Sequence, residues 1–194
     1  NKKFRNANQT EPAGAAQPAL WQTFLHETMG IKLDLAGVAI PQSPSGFNWP
    51  IIMPEGIAAA KIVKAMPEHM KVWVWDEKEL NKVTSVREPN QTYIIWVRDG
   101  VEADEEFKNR SADDLKKEGV NCVTLPERLM LEFFYYWKNK QHLDINNWTL
   151  CAGSRCLGGG VPGVRWDPDD GRVRVYWDGS DRRRSGLRTR VAVS

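Results

Sequence analysis

The sequence predicts an α+β fold of small antiparallel sheets with two or more helices, built as a single domain over residues 20–194. Three features lead to that class. A capped, broadly apolar helix is written at 125–140, three short period-two runs follow it, and two further strand patterns lie at 71–75 and 92–97. The chain has 194 residues, 41% hydrophobic and 27% charged. That is the balance of a folded globular protein, with length for one well-packed core.

Taken in order, residues 1–19 are polar and rich in Ala and Pro, and are expected to form a loosely held lead-in. Leu20, Trp21, Phe24, Leu25 and Met29 recur at helical spacing, and Gly30 ends the pattern. A Pro/Ser/Gly loop at 41–46 precedes Phe47, Trp49, Ile51 and Ile52, which read as buried anchors around Pro50. A short helix is expected over 55–66, stopped by Pro67. In the strand pattern at 71–75, Val72 and Val74 alternate with Trp73 and Trp75. Ser111 and Asp114 have capping-box spacing at the head of an exposed, charged helix over 111–118. The helix at 125–140 opens with the Thr124/Glu127 capping box and Pro126 in its first turn. Leu125, Leu129, Phe133 and Trp137 form its apolar stripe, and Lys138 and Lys140 sit where the helix dipole favours cations.

After position 150 the residue usage changes abruptly. All 13 lysines and all 13 glutamates lie before 151; the last 44 residues carry 9 arginines and 5 aspartates as their only formal charges. That segment also lacks Gln, Met, Asn, Ile, Phe and His, and holds 8 of the 15 glycines. Drift within one folded unit seldom draws so sharp a boundary, so the segment has been written under a different rule.

Within it, after a strand expected at 148–150, three runs alternate with period two. Val164 and Trp166 oppose Gly163, Arg165 and Asp167; Val173, Val175 and Trp177 oppose Arg172, Arg174, Tyr176 and Asp178; Leu187, Thr189, Val191 and Val193 oppose Arg188 and Arg190. Because side chains alternate across a strand, one face packs and the other meets solvent. Asp169, Asp170 and Gly171 supply the turn between the first two runs. The outward mixture of Arg, Asp, Tyr and Gly admits three readings: a plain solvated face, a nucleic-acid surface using Arg182, Arg183, Arg184 and Tyr176, or a protein- or glycan-binding patch. Five interleaved aspartates and the lack of any helix-turn-helix, KH or RNP pattern argue against nucleic acid as the partner.

The segment 148–194 resembles the variable proteins of diversity-generating retroelements, which are similar in fold to C-type lectins and formylglycine-generating enzymes. The resemblance runs through NWTLCAGSR, Val161-Pro162, the strands ending in Trp166 and Trp177, and the closing LRTRVAVS. TLPERLMLEFFYYWKNKQHLD and YIIWVRDGVEADEE also look like members of that group. The resemblance implies a C-type-lectin-like fold with its variable face on the carboxy-terminal strands. It further implies that a reverse transcriptase miscopies template adenines, so that Asn codons become nearly any residue except Lys, Glu, Gln, Met and Trp. The first four are all absent from the tail, and so is Asn itself. On that basis the variable region spans 151–187, and the ligand-binding positions are Cys156, Gly158, Gly159, Gly163, Arg165, Asp167, Asp169, Asp170, Arg174, Tyr176, Asp178, Asp181, Arg183, Arg184 and Gly186. Trp166 and Trp177, which such codons cannot yield, are expected to be fixed scaffold with Val173 and Val175.

The expected function is recognition of a protein or glycan ligand on another cell, virus or host, from a virion or cell surface or as an intracellular sensor, with an oligomeric state left open. The competing classes are a nucleic-acid-binding domain and an oxidoreductase of the formylglycine-generating type, whose chemistry needs a cysteine pair. Cys151 and Cys156 are spaced so that they could bridge, but the spacing does not demand it; Cys122 makes the count odd. No base or nucleophile partner lies near Cys156 in sequence, so no catalytic residue is expected. His26, His69 and His142 are scattered, so neither a metal site nor a cofactor is expected. No apolar run approaches the ~18–20 residues of a membrane span, and no membrane insertion is expected.

Overall fold

The computed structural model describes residues 17–194, so that residues 1–16 of the expected lead-in lie outside the described residues. Helix α1 (Gln17–Met29) buries Trp21, Phe24 and Leu25, and ends at Gly30, whose φ of 66° suits a residue without Cβ. Strand β1 (Trp49–Met53) follows the loop and pairs antiparallel with β4 (Tyr93–Val97), in the register Ile51 opposite Ile95. Between them lie α2 (Ala59–Ala65), β2 (Val72–Val74), the single turn α3 (Glu77–Leu80) and β3 (Thr84–Ser85). Helix α4 (Ala112–Lys117) carries the expected Ser111/Asp114 capping box. It is less exposed than its charges suggested, because Ala112 and Leu115 are buried.

Helix α5 (Leu125–Asn139) is the centre of the molecule. Its capping box is reciprocal: Glu127 N–H donates to Thr124 Oγ1 at 3.4 Å and Thr124 N–H donates to Glu127 Oε2 at 2.7 Å. The stripe expected of it is only part of the story. Every residue from Leu125 to Phe134 is buried, Glu127, Arg128 and Glu132 among them. Its apolar side completes a core with Trp21, Phe24, Ile51, Ile95, Val164, Val173 and Val175. Trp21 stacks on Phe134 at 4.1 Å, and Phe24 meets Phe133 edge-on at 5.0 Å.

The carboxy-terminal part forms β5 (Trp148–Leu150), β6 (Ser154–Arg155), β7 (Val161–Asp167), β8 (Arg172–Asp178) and β9 (Leu187–Arg188). The main sheet has the order β2-β8-β7-β5-β9. It is mixed rather than purely antiparallel, since β2 joins β8 and β9 joins β5 in parallel. A separate two-stranded ladder pairs β3 with β6.

The third period-two run departs from expectation. Only Leu187–Arg188 is strand, and Arg190 points inward with 1% of its surface exposed. The backbone of this closing segment is divided among several neighbours: Thr189 C=O accepts from Asp104 N–H, Arg190 C=O from Val123 N–H, and Val193 pairs with Trp96. A segment that serves different partners need not keep strand alternation. The Arg190 side chain turns in because a buried carboxylate waits for it.

That carboxylate is Asp144. Arg190 Nη2 lies 2.9 Å from its Oδ1, and Arg128 Nη2 lies 2.8 Å from its Oδ2. Arg128 also pairs with Glu132 at 2.8 Å, and Glu132 holds His142 Nδ1 at 2.8 Å. Thr149 hydrogen-bonds Asp144 and takes a 3.3 Å bond from Arg190 Nε. Burial alone would push the Asp144 carboxyl up, but Arg190 and Arg128 outweigh it and hold it below the usual range. Thr149 and Arg190 flank the segment 151–187, so this cluster ties both of its ends to α5.

Candidate recognition surface

The hairpin β7–β8 is the core of the surface. Its pairing sets Val164 opposite Val175, Trp166 opposite Val173, Arg165 opposite Arg174 and Gly163 opposite Tyr176. Val164, Val173 and Val175 are fully buried, while Trp166 and Trp177 are half-buried and pack against the same core. Trp166 lies flat on His142, centroids 3.5 Å apart at 2°. His142 in turn stacks on Tyr136 of α5 at 4.7 Å, so its role is structural. Gly171, at φ 63°, closes the turn between the strands.

The opposite face carries Arg165, Arg174 and Tyr176. Two arginines directly across a ladder repel, and Asp167 relieves this by pairing with Arg174 Nε at 2.9 Å and Arg165 Nη2 at 3.4 Å. Asp170 takes a further bond from Arg174 Nη2 at 2.6 Å. Each guanidinium also lies over an indole, Arg174 over Trp73 and Arg165 over Trp148, both at 5.4 Å. Tyr176 packs on Trp148 at 4.4 Å. The surface is therefore a preformed, ion-paired layer of arginine and tyrosine on aromatic rings.

Trp73, Trp148 and the 68%-exposed Trp75 belong to this surface and were not among the expected binding residues. The alternation of Val72 and Val74 with Trp73 and Trp75 was the available signal. What it could not supply was the parallel pairing that sets Trp73 beside Arg174.

Three of the fifteen expected positions are not outward-exposed. Gly163 is buried because the Tyr176 ring covers it; a Cβ there would lie 2.9 Å from Tyr176 Cε1. Asp178 is 8% exposed because Tyr176 Oη–H, Gly179 N–H and Arg182 Nε–H all donate to its carboxylate. Cys156 is buried beneath Gly160, where an added Cβ would lie 2.8 Å from its Sγ. Of the others, Asp169, Asp170, Asp181, Arg183 and Arg184 are exposed, Arg165, Asp167, Arg174, Tyr176 and Gly186 half-buried. Gly158 and Gly159 are exposed but at φ 83° and 85°, where a side chain costs ~1–2 kcal/mol of backbone strain. Arg183 reaches away from the hairpin to make two bonds of 2.7 and 2.6 Å with Asp114 of α4, which hold that carboxyl well below its usual range.

Ion pairing decides what the arginines can do. Among the described residues, Arg165, Arg172, Arg174, Arg182, Arg183, Arg184, Arg188 and Arg190 each have a carboxylate within 4.0 Å, and Arg155 does not. A phosphate backbone would have to displace aspartates from nearly all of them, which argues against electrostatic nucleic-acid binding. The cysteines are all free and buried. Burial pushes the Cys151, Cys122 and Cys156 thiols up, the wrong direction for a thiolate nucleophile or ligand. Among the described residues, no three His, Cys, Asp or Glu side chains gather as a metal site, and no helix is long and apolar enough to cross a membrane. In comparisons with known proteins, the chain matches no family model, no curated protein and no solved structure.

Proposed function

We propose that the outward face of β7 and β8, with the loops beside it, is a recognition surface for a protein or glycan ligand. On this reading the scaffold is a C-type-lectin-like variant of the α+β architecture, and its surface side chains are replaced by retroelement-driven adenine mutagenesis. The observation that carries the reading is a coincidence of two independent divisions. The residues that miscopied Asn codons cannot yield, Lys, Glu, Gln and Met, are missing from the tail, while Trp, equally unreachable, occurs there only at Trp166 and Trp177, on the packed side of the hairpin.

The architecture suits such use. Outward residues can change with little effect on folding, because exposed substitutions usually cost within ~0.5 kcal/mol. The inward valines and the buried cluster around Asp144 keep the backbone fixed, which limits the entropy lost on association. Trp73 and Trp75 supply constant aromatic contact area beside the changing residues, the kind of anchor that interfaces favour.

The deciding observation is in the neighbouring DNA. A near-identical repeat with Asn codons at the fifteen positions, beside a reverse-transcriptase gene, is the expected finding. Differences from that repeat at non-adenine positions would overturn the reading. Gly158, Gly159 and Gly163 are the sharpest of the fifteen, since the backbone or a neighbouring ring restricts each of them.

A further inference from the structure

A cavity of about 550 Å³ lies between α4, the 119–122 segment and the β3–β6 ladder. That is small-molecule size. Its floor is apolar: Leu115 and Cys122, both buried, with Val120 and Ala152 packed beside them. Val86 stands at its edge, 73% exposed, a large hydrophobic side chain left to water although its backbone N–H is fixed on Gly153 C=O at 2.9 Å.

Among the described residues, the charge lining the cavity has one sign: Lys116 and Arg155 line it, and no carboxylate does. The acidic residues of α4 and its end are engaged elsewhere: Asp113 with Ser180, Asp114 with Arg183 and Glu118 with Arg110. Arg155 Nη1 donates to Ala152 C=O at 2.8 Å and Ser154 C=O at 2.7 Å, which fixes the guanidinium in place. Its Nε and Nη2 have no protein partner among the described residues, and these two donors form the parallel fork that matches a carboxylate. It is also the arginine of the tail that lacks an ion pair among the described residues.

We propose that this cavity binds a small amphipathic carboxylate, its apolar body over Leu115, Val120 and Val86 and its carboxylate on the free edge of Arg155, with Lys116 in support. None of the fifteen expected variable positions lines the cavity. The lining is therefore the same whatever the hairpin face presents, although Arg183, which engages Asp114 of α4, is one of those positions; octanoate binding stands or falls independently of the proposed recognition function.

The test is a titration of the full chain with octanoate and, as the uncharged counterpart, octan-1-ol, followed by amide chemical shifts. Octanoate should produce saturable shifts confined to Val86, Gly119, Val120, Asn121, Cys122 and Gly153, and should bind more tightly than the alcohol. Arg155→Gln should weaken octanoate by about tenfold or more, the worth of a charge-assisted pair, and leave octan-1-ol unchanged. Val86→Asp, at an exposed position that leaves the fold intact, should weaken both, and Lys116→Gln should weaken octanoate alone. No saturable shift below the micelle concentration, shifts centred elsewhere, or equal affinity for acid and alcohol would overturn the proposal. If Arg155→Gln loses its dispersed spectrum, Val86→Asp and Lys116→Gln decide the matter by the same criteria.

Discussion

Replacing Arg190 by Met tests the clamp that holds the segment 151–187 at its ends. The guanidinium is 1% exposed and pairs with Asp144 at 2.9 Å. It also donates to Gly100 C=O at 2.7 Å and Val101 C=O at 2.8 Å. Removing one partner of a buried pair costs ~3–5 kcal/mol. The low end applies, because Asp144 keeps Arg128 and the Ala103 N–H at 2.8 Å, and Met fills the space of the arginine stem. A loss of ~3 kcal/mol corresponds to a fall in Tm of roughly 6–12 °C for a domain of this size. Thermal unfolding by circular dichroism measures it. Asp144→Asn should cost more, since it leaves Arg128 and Arg190 facing each other with Glu132 as the remaining carboxylate. The double variant should be less destabilised than the sum of the two, because the residues share one network. A melting temperature for Arg190→Met within about 2 °C of the parent, well under the range expected from the size scaling, would refute the reasoning.

Other expectations follow from the same geometry. Val175→Ala, at a fully buried position, should cost ~2 kcal/mol, whereas Arg174→Ala should cost under ~1 kcal/mol; denaturant midpoints in the reverse order would invert the assignment of faces. Gly163→Ala should destabilise because of the Tyr176 ring, and Tyr176→Ser should relieve most of that loss in the double variant; additive effects would remove the ring from the explanation. Because the Asp144 carboxyl is depressed on folding, its contribution is present above the unfolded value of about 4 and is lost as pH falls through the folded one. Arg190→Met weakens that depression, so its acid unfolding should begin at higher pH than the parent's. Cys151 should resist alkylation in the native protein up to mildly alkaline pH and react on unfolding, as mass spectrometry of labelled peptides can show.

Much of this layout could be read from local patterns, and the exceptions share a cause. The capping box of α5, the Ser111 cap and the inward valines of β7 and β8 depend on residues within a turn or two of one another, so spacing reveals them. The β2–β8 pairing joins residues about a hundred positions apart, and no local period announces that Trp73 will carry Arg174. Arg190 obeyed the alternation on paper yet turned inward, because its partner Asp144 lies 46 residues away in a buried cluster. Gly163, Asp178 and Cys156 are on the expected strands and loops, but burial there comes from a ring, a set of donors and a glycine loop that pattern alone does not place. Trp177 is half-buried rather than enclosed, so Trp177→Ala should fall below the ~3–5 kcal/mol of a fully buried tryptophan.

One face of the hairpin should tolerate rewriting while the fold is kept. A displayed library can check this, with Arg165, Asp169, Asp170, Arg174 and Tyr176 fully randomised over sparse random substitution along the whole chain, sorted first for folding and then for binding to unrelated proteins and glycans. Most members should fold, and different ligands should select different residues at these positions, with Val164, Val173, Val175 and Arg190 unchanged. A library in which few members fold, or binders whose selected changes fall away from this face, would contradict it.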